Sequence, residues 1–177
     1  MRLLKIINPE KVDEKEISDW EQRKAARAVV FDEEGNIGLL YVRNRNYYKI
    51  AGGGVEEGED IKTALDRECE EELGVEVEIL DEVGEITEYR RRFVLKQTSY
   101  CFLAKANSKK KGANFTDQEK EKGFEVLWLK PEEALRMLSF NQTADYEGGF
   151  VEERDFCFLN SALEKIKFEG RTREGKR

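Results

Sequence analysis

The residues able to do chemistry crowd into one stretch, Gly53-Gly54-Val55-Glu56-Glu57-Gly58-Glu59-Asp60, followed by Arg67-Glu68-Cys69-Glu70-Glu71-Glu72-Leu73-Gly74-Val75. On a helix turning about 100° per residue, Ile61, Leu65, Cys69 and Leu73 make one apolar stripe, and Glu68, Glu71 and Glu72 share the adjoining face. Glu72 projects almost between Ile61 and Leu65, so it should not be fully exposed. Three carboxylates on about one turn repel each other unless something offsets their charge. A divalent cation would do so, and an all-oxygen donor set suits Mg²⁺ or Mn²⁺ rather than zinc. Such an ion also binds phosphate oxygens, which is the chemistry of substitution at phosphorus. Glycines upstream let the backbone approach closely, offering carbonyls to a metal or amides to phosphate. The competing description is an acidic, solvated helix in which Arg67 pairs with Glu71 across one turn. The glycine run and the placing of Glu72 weigh against it.

Composition narrows the chemistry further. The chain of 177 residues has no histidine, which removes His-based triads, His-ligated metals and the commonest general base. Acid–base or metal chemistry must therefore run on carboxylates. With 31 basic and 38 acidic residues the net charge is −7, which argues against a nucleic-acid partner held by phosphate neutralisation. A small phosphorylated substrate needs only a local basic patch or a metal. Cys69, Cys101 and Cys157 have no zinc-ligand spacing and no secretory signal before them, so free thiols in a reducing cytosol are expected. No stretch approaches the roughly 18 apolar residues of a membrane span. The expectation is a cytoplasmic protein with no membrane partner.

The elements that must position these residues can be read in outline. Residues 1–177 read as a single domain, with 1–22 an N-terminal strand or extension and 169–177 a mobile tail. Leu3 to Ile7 reads as a strand, as do Ala25 to Phe31 and Ile37 to Val42, separated by the hairpin signal Asp32-Glu33-Glu34-Gly35-Asn36. The run Ile50-Ala51-Gly52-Gly53-Gly54-Val55 is not expected to form a helix or a central strand. A helix from the N-cap Asp60 to Leu73 stops at Gly74. Val75, Val77 and Ile79 alternate as in a half-buried strand, and Phe93 to Ala106 reads as a long one. Lys109 to Gly123 reads as a loop, Phe124 to Leu129 as a strand, Pro131 to Leu138 as a helix and Arg154 to Lys167 as a last amphipathic helix. A mixed sheet flanked by helices follows.

The acidic segment resembles the Nudix box: Gly, five residues, Glu, seven residues, Arg-Glu, an aliphatic, one residue, Glu-Glu, one residue, Gly, an aliphatic. Gly53, Glu59, Arg67, Glu68, Glu71, Glu72, Gly74 and Val75 stand at the required spacing. Cys69 replaces an aliphatic, as a small hydrophobe can. Ala51 stands where many relatives have proline. The box spans about an eighth of the chain. The resemblance implies an α/β/α sandwich of the α+β type with a mixed central sheet, and a MutT-like pyrophosphohydrolase. Glu68, Glu71, Glu72 and the Gly53 carbonyl would hold Mg²⁺, or Mn²⁺, while Glu59 and Arg67 would support the loop. It also implies attack by water on a diphosphate of a small nucleotide, with Glu71 and Glu72 catalytic. The general base would come from a loop glutamate after the box, Glu121 ahead of Glu119. Dimerisation is common in related domains, so a homodimer is allowed for.

Outside the box the signals are weaker. Arg43, Arg45, Lys49 and Gly54 are candidates for phosphate contact, and Arg90, Arg91 and Arg92 form a second basic cluster; the plainer description of these cations is solvated strand ends. Tyr47, Tyr48 and Phe93 can stack on a base but fit a core equally well, and Phe150 to Phe158, with Arg154 inside it, is expected to pack the last helix. Members that cleave ADP-ribose often carry a proline about sixteen residues beyond the box; Arg90 to Arg92 occupy that region, which ranks ADP-ribose lower. The upstream signature of members acting on coenzyme A is missing. A catalytically inactive Nudix-fold module that binds nucleotides or regulates is the alternative, though such proteins usually lose the paired glutamates. A Ca²⁺-binding helix–loop domain fails for want of spaced Asp/Asn ligands.

Overall fold

In the computed structural model, which describes residues 1–107, 109–139 and 143–174, the sheet is organised around β2 (Glu21–Phe31). The other strands are β1 (Leu3–Ile7), β3 (Ile37–Val42), β4 (Tyr47–Gly54), β5 (Val77–Arg90), β6 (Leu95–Ala106) and β7 (Phe124–Leu129). They form a seven-stranded mixed sheet in the order β1-β5-β6-β2-β4-β3-β7, with β1/β5 and β2/β6 parallel and the other pairs antiparallel. Helix α1 (Ile61–Leu73) packs on β2, β3 and β4, while α3 (Pro131–Ser139) and α4 (Tyr146–Glu174) pack together from the other side. The short α2 (Asp117–Lys122) leads into β7. This is the α/β/α sandwich with a mixed central sheet.

Each face of the sheet has its own core. Ala26, Ala28 and Val30 of β2 bury the Leu65–Cys69–Leu73 stripe of α1, whereas Val29, Ile50, Ile86, Cys101 and Leu103 meet Phe158 and Leu159 of α4. On the α4 side the sheet changes character halfway while remaining buried. Along β6, Leu103 and Cys101 give way to Ser99 and Gln97; along β5, Ile86 gives way to Glu88 and Arg90; along β2, Val29 gives way to Arg27. The register brings Glu88, Gln97 and Arg23 side by side across three strands.

Several expectations are corrected. The glycine run is central strand: β4 continues through Gly52 and Gly53, which pair with Arg27 and Ala26. A Cβ at Gly52 would lie 2.1 Å from the Ala26 carbonyl, so strands this close require glycine there. The Asp32–Asn36 turn forms, yet β2 and β3 pair only at Phe31 and Ile37 because β4 lies between them. β5 runs on to Arg90, well past the alternation that announced it. The supposed loop before β7 contains α2, closed by a reciprocal Thr116–Glu119 cap. Helix α4 starts at Tyr146, where the Asp145 side chain accepts the Gly148 N–H at 2.9 Å. Its backbone continues through residue 174, so the tail expected from 169 is helical that far, and 175–177 lie outside the described residues.

Candidate functional site

Helix α1 is held at both ends by its own sequence. The Asp60 carboxylate accepts the N–H groups of Lys62 and Thr63, and Gly74, at φ +67°, closes the other end in the left-handed region. From this helix Arg67 reaches back over the loop. Its Nε donates to Glu59 Oε1 at 3.0 Å, Nη2 to Glu59 Oε2 at 3.2 Å and to the Gly54 carbonyl at 3.1 Å. Its Nη1 donates to Glu68 Oε1 at 2.9 Å and Glu71 Oε2 at 3.1 Å. One guanidinium therefore ties the loop to the helix and bridges two of the crowded glutamates. The hydrogen bond from Arg67 also holds the Glu59 carboxyl below the usual range.

Glu72 is handled differently. It is 1% exposed, more buried than its place on the wheel suggested. Burial pushes its carboxyl up to about 6, opposed by the Lys49 ammonium and reinforced by Glu68. Lys49 Nζ donates to Glu72 Oε1 at 2.5 Å, and the Gly52 N–H donates to Oε2 at 2.7 Å. The Gly52 carbonyl in turn accepts from Lys49 Nζ at 3.1 Å and from Arg27 Nη1. The Gly52 residue thus joins an acidic group from α1 to a basic one from β2. Glu68 lies directly over Gly53, where a Cβ would come within 2.1 Å of its Oε1.

These residues line a cleft of about 230 Å³. One wall carries Glu68, Glu72, Lys49 and the three glycines; the other carries Arg23, Arg27, Arg90, Gln97 and Arg154; Thr116, Glu119, Lys122 and Phe124 come from the α2 side. In the basic wall Glu88, itself fully buried, accepts from Gln97 Nε2 at 2.6 Å, Arg90 Nη2 at 3.0 Å and Arg154 Nη1 at 3.5 Å. Asp155 accepts from Arg154 Nε at 2.7 Å and from the Ile50 N–H at 3.0 Å, pinning α4 to β4. Among the described residues, three buried donors remain without a partner: Arg27 Nε, Arg90 Nε and Arg154 Nη2. Each such group costs about 1–3 kcal/mol.

The structure brings Gly53, Gly54, Lys49, Glu68 and Glu72 together on the cleft. Glu71, Glu59 and Arg67 are not among the lining residues but are linked to Glu68 and Gly54 through Arg67. Arg43 and Arg45 are not brought there. After β3 the chain turns through Arg43–Arg45, and these side chains pair with Glu125 and Asp145. Glu119 lines the cleft and Glu121 does not; on the short α2 the two cannot share a direction. Of the second basic cluster, Arg90 is in the cleft, Arg91 pairs with Glu16, and Arg92 lies over the Tyr146 ring. Tyr47 lines the cleft, Tyr48 stacks on Tyr41, and Phe93 meets Tyr146 edge-on. Arg23, Arg27 and Gln97 were missed; single polar residues in strands give no signal until the strands are paired.

Does this donor set suit a divalent cation? Its chemistry does: carboxylates and a backbone carbonyl, no nitrogen or sulfur, over a glycine cradle. Among the described residues, however, no three carboxylates are already arranged around one point. Glu72 is turned to Lys49, and Glu68 and Glu71 are turned to Arg67. A cation entering here would have to exchange places with protein cations.

A family model described as the NUDIX domain matches residues 21–153. No curated protein sequence matches the chain significantly. Among solved structures, a MutT protein from Methanosarcina mazei Go1 is 19% identical, with 83% of this chain and 97% of that one covered at a TM-score of 0.57. An Ap4A hydrolase binary complex from C. elegans is 17% identical, covering 82% and 98% at a TM-score of 0.57. A NUDIX hydrolase from Nitrosomonas europaea is 16% identical, covering 76% and 89% at 0.56. At these identities the likeness is one of fold. No helix among the described residues is long and apolar enough to cross a membrane.

Proposed function

The chain belongs to the Nudix family, and from that premise we propose that it is a Mg²⁺-dependent, MutT-like hydrolase of a nucleoside triphosphate or nucleoside diphosphate derivative. Membership implies hydrolysis of phosphoric anhydride bonds. The observation that carries the finer reading is the meeting of Glu68, Glu72 and the Gly52–Gly54 backbone with a wall of arginines in one cleft. Glu68, Glu71, Glu72 and the Gly53 carbonyl would hold Mg²⁺, with Mn²⁺ able to replace it. When bound, the cation neutralises phosphate charge and lowers the pKa of a nearby water. Arg67 fixes the loop on which Glu59, Glu68 and Glu71 converge. Lys49 holds Glu72 in its buried position.

Glu119 is the better candidate for general base, since it lines the cleft and Glu121 does not. The chain is read as a single cytoplasmic domain, with a homodimer allowed for. The second reading is a catalytically inactive nucleotide-binding module. The Lys49–Glu72 pair, standing where a cation is expected, is the observation in its favour.

The test is phosphate or pyrophosphate release from a panel of nucleotides that includes Ap4A, with Mg²⁺. Glu71→Gln and Glu72→Gln are expected to lose roughly 10²–10³-fold in rate. Glu119→Gln is expected to lose about 10²-fold, and Glu121→Gln to stay near wild type. Reversal of the last two would move the base to Glu121. Nucleotide binding without any release, unchanged by Glu72→Gln, would replace the hydrolase with the binding module.

A further inference from the structure

The basic wall holds more hydrogen-bonding capacity than the fold consumes. Arg27 comes from β2, Arg90 from the end of β5 and Arg154 from α4, and they are 7%, 2% and 0% exposed. Their acceptors are few. Glu88 is shared among Arg90, Arg154 and Gln97, and Asp155 divides its oxygens between Arg154 and the Ile50 N–H. Arg90 also reaches Glu147 at 3.3 Å. Among the described residues, the buried side-chain nitrogens and oxygens with no partner are three, and all belong to these arginines. All three residues line the same cleft.

A network serving only to fasten α4 would end with its donors satisfied, because a half-satisfied buried network is worse than hydrocarbon packing. The state of Arg27 points the same way. Burial, and then the neighbouring Arg154 guanidinium, bring Arg27 down to about 10. A bound oxyanion would relieve both problems, and the guanidinium fork matches phosphate better than an ammonium does. The wall also abuts the acidic groups: Arg27 donates to the Gly52 carbonyl while Glu72 takes the N–H of the same residue. Of the aromatics lining the cleft, Tyr47 is buried, and Phe124 already meets Phe115 edge-on and the Lys49 ammonium on its ring. The cleft therefore offers charge more readily than a stacking slot.

We propose that Arg27, Arg90 and Arg154 form a subsite that binds a phosphoryl oxyanion without metal, and that it holds a substrate phosphate lying beyond the anhydride bond that is cut. The substrate is then a linear polyphosphate derivative selected by its phosphate chain rather than by its base. The subsite stands on the geometry alone; its place in a substrate rests on the hydrolase reading.

The experiment is calorimetric titration of the full chain with methylenebisphosphonate in EDTA. Wild type and Glu71→Gln are expected to bind it equally, and Arg90→Gln at least tenfold more weakly, with circular dichroism confirming that the variant is folded. A second measurement needs no variant: the ¹⁵Nε resonances of Arg27 and Arg90 in the wild type should shift on addition of the same probe in EDTA. Absence of metal-free binding, or binding that leaves these resonances and the Arg90→Gln affinity unchanged, overturns the subsite. Hydrolysis with Mg²⁺ but no metal-free binding would sink the subsite alone. Metal-free binding with no hydrolysis of any diphosphate would sink the hydrolase reading and leave the oxyanion site standing.

Discussion

Glu68 and Glu72, on one wall of the cleft, come from a single stretch of α1, whereas Arg27, Arg90 and Arg154, on the other, come from two strands and a helix far apart in the chain. The acidic wall has its carboxylates paired from within: Arg67 pairs with Glu59, Glu68 and Glu71, and Lys49 pairs with Glu72. The basic wall keeps hydrogen-bonding capacity in hand, with three donors left over among the described residues. One wall must give up a protein cation to gain a metal; the other needs only to gain an anion. Binding at the first should therefore be sensitive to Lys49, and binding at the second should not.

The two walls meet at Gly52. At φ +131° a Cβ would lie 2.1 Å from the Ala26 carbonyl and 2.8 Å from the Arg27 Cα. Neither neighbour is a movable side-chain end. Gly52→Ala is expected to lose at least about 4 kcal/mol of stability, and with it the hydrogen bonds to Glu72 and Arg27. Urea unfolding measures this. A loss of less than 1 kcal/mol would show that the two walls are not joined through this residue in the way described.

A smaller change separates the walls. Lys49→Met leaves the buried Glu72 carboxylate without its cation, at a cost of about 3 kcal/mol in the metal-free protein. Mg²⁺ should then stabilise the variant more than the wild type, because it no longer competes with the ammonium. Thermal unfolding with and without Mg²⁺ reads this directly. Equal Mg²⁺ shifts in the two proteins would mean that Lys49 does not occupy the place of a cation. Binding of methylenebisphosphonate in EDTA should hardly change, since Lys49 belongs to the other wall.

The same asymmetry decides what the sequence discloses. Glu59, Arg67, Glu68, Glu71 and Glu72 lie on one loop and one helix, where a spacing is already a geometry. Arg27 sits among Ala25, Ala26 and Ala28 and looks like any strand cation until β2 is paired with β4 and β6. β4 was hidden because glycine in a strand is favoured only by what lies opposite, here the Ala26 carbonyl. The second half of β5 was hidden because irregularities between Ile79 and Asp81 and between Glu82 and Gly84 shift the two-residue period. By contrast α2 did carry a signal, since Thr116 and Glu119 have capping-box spacing. The start of α4 was masked by Gly148 and Gly149, which have poor helical propensity and are rescued by the Asp145 cap.

The finest test of the contrast is in pH. Folding raises the Glu72 carboxyl from 4.5 to about 6, chiefly through burial. The folded protein therefore holds that proton more tightly than the unfolded chain. The resulting stabilisation is complete below about 4.5 and is lost as pH rises through about 6, reaching about 2 kcal/mol in all. Across the cleft Arg27, at about 10, remains charged throughout this window. Other carboxylates titrate in the same range, so the quantity to follow is the stability of wild type minus that of Glu72→Gln, by urea unfolding in EDTA. It should fall between pH 4.5 and 7. A constant difference would show that Lys49 and the Gly52 N–H offset the burial of Glu72 in full, and that the acidic wall is as ready for a cation as the basic wall is for an anion.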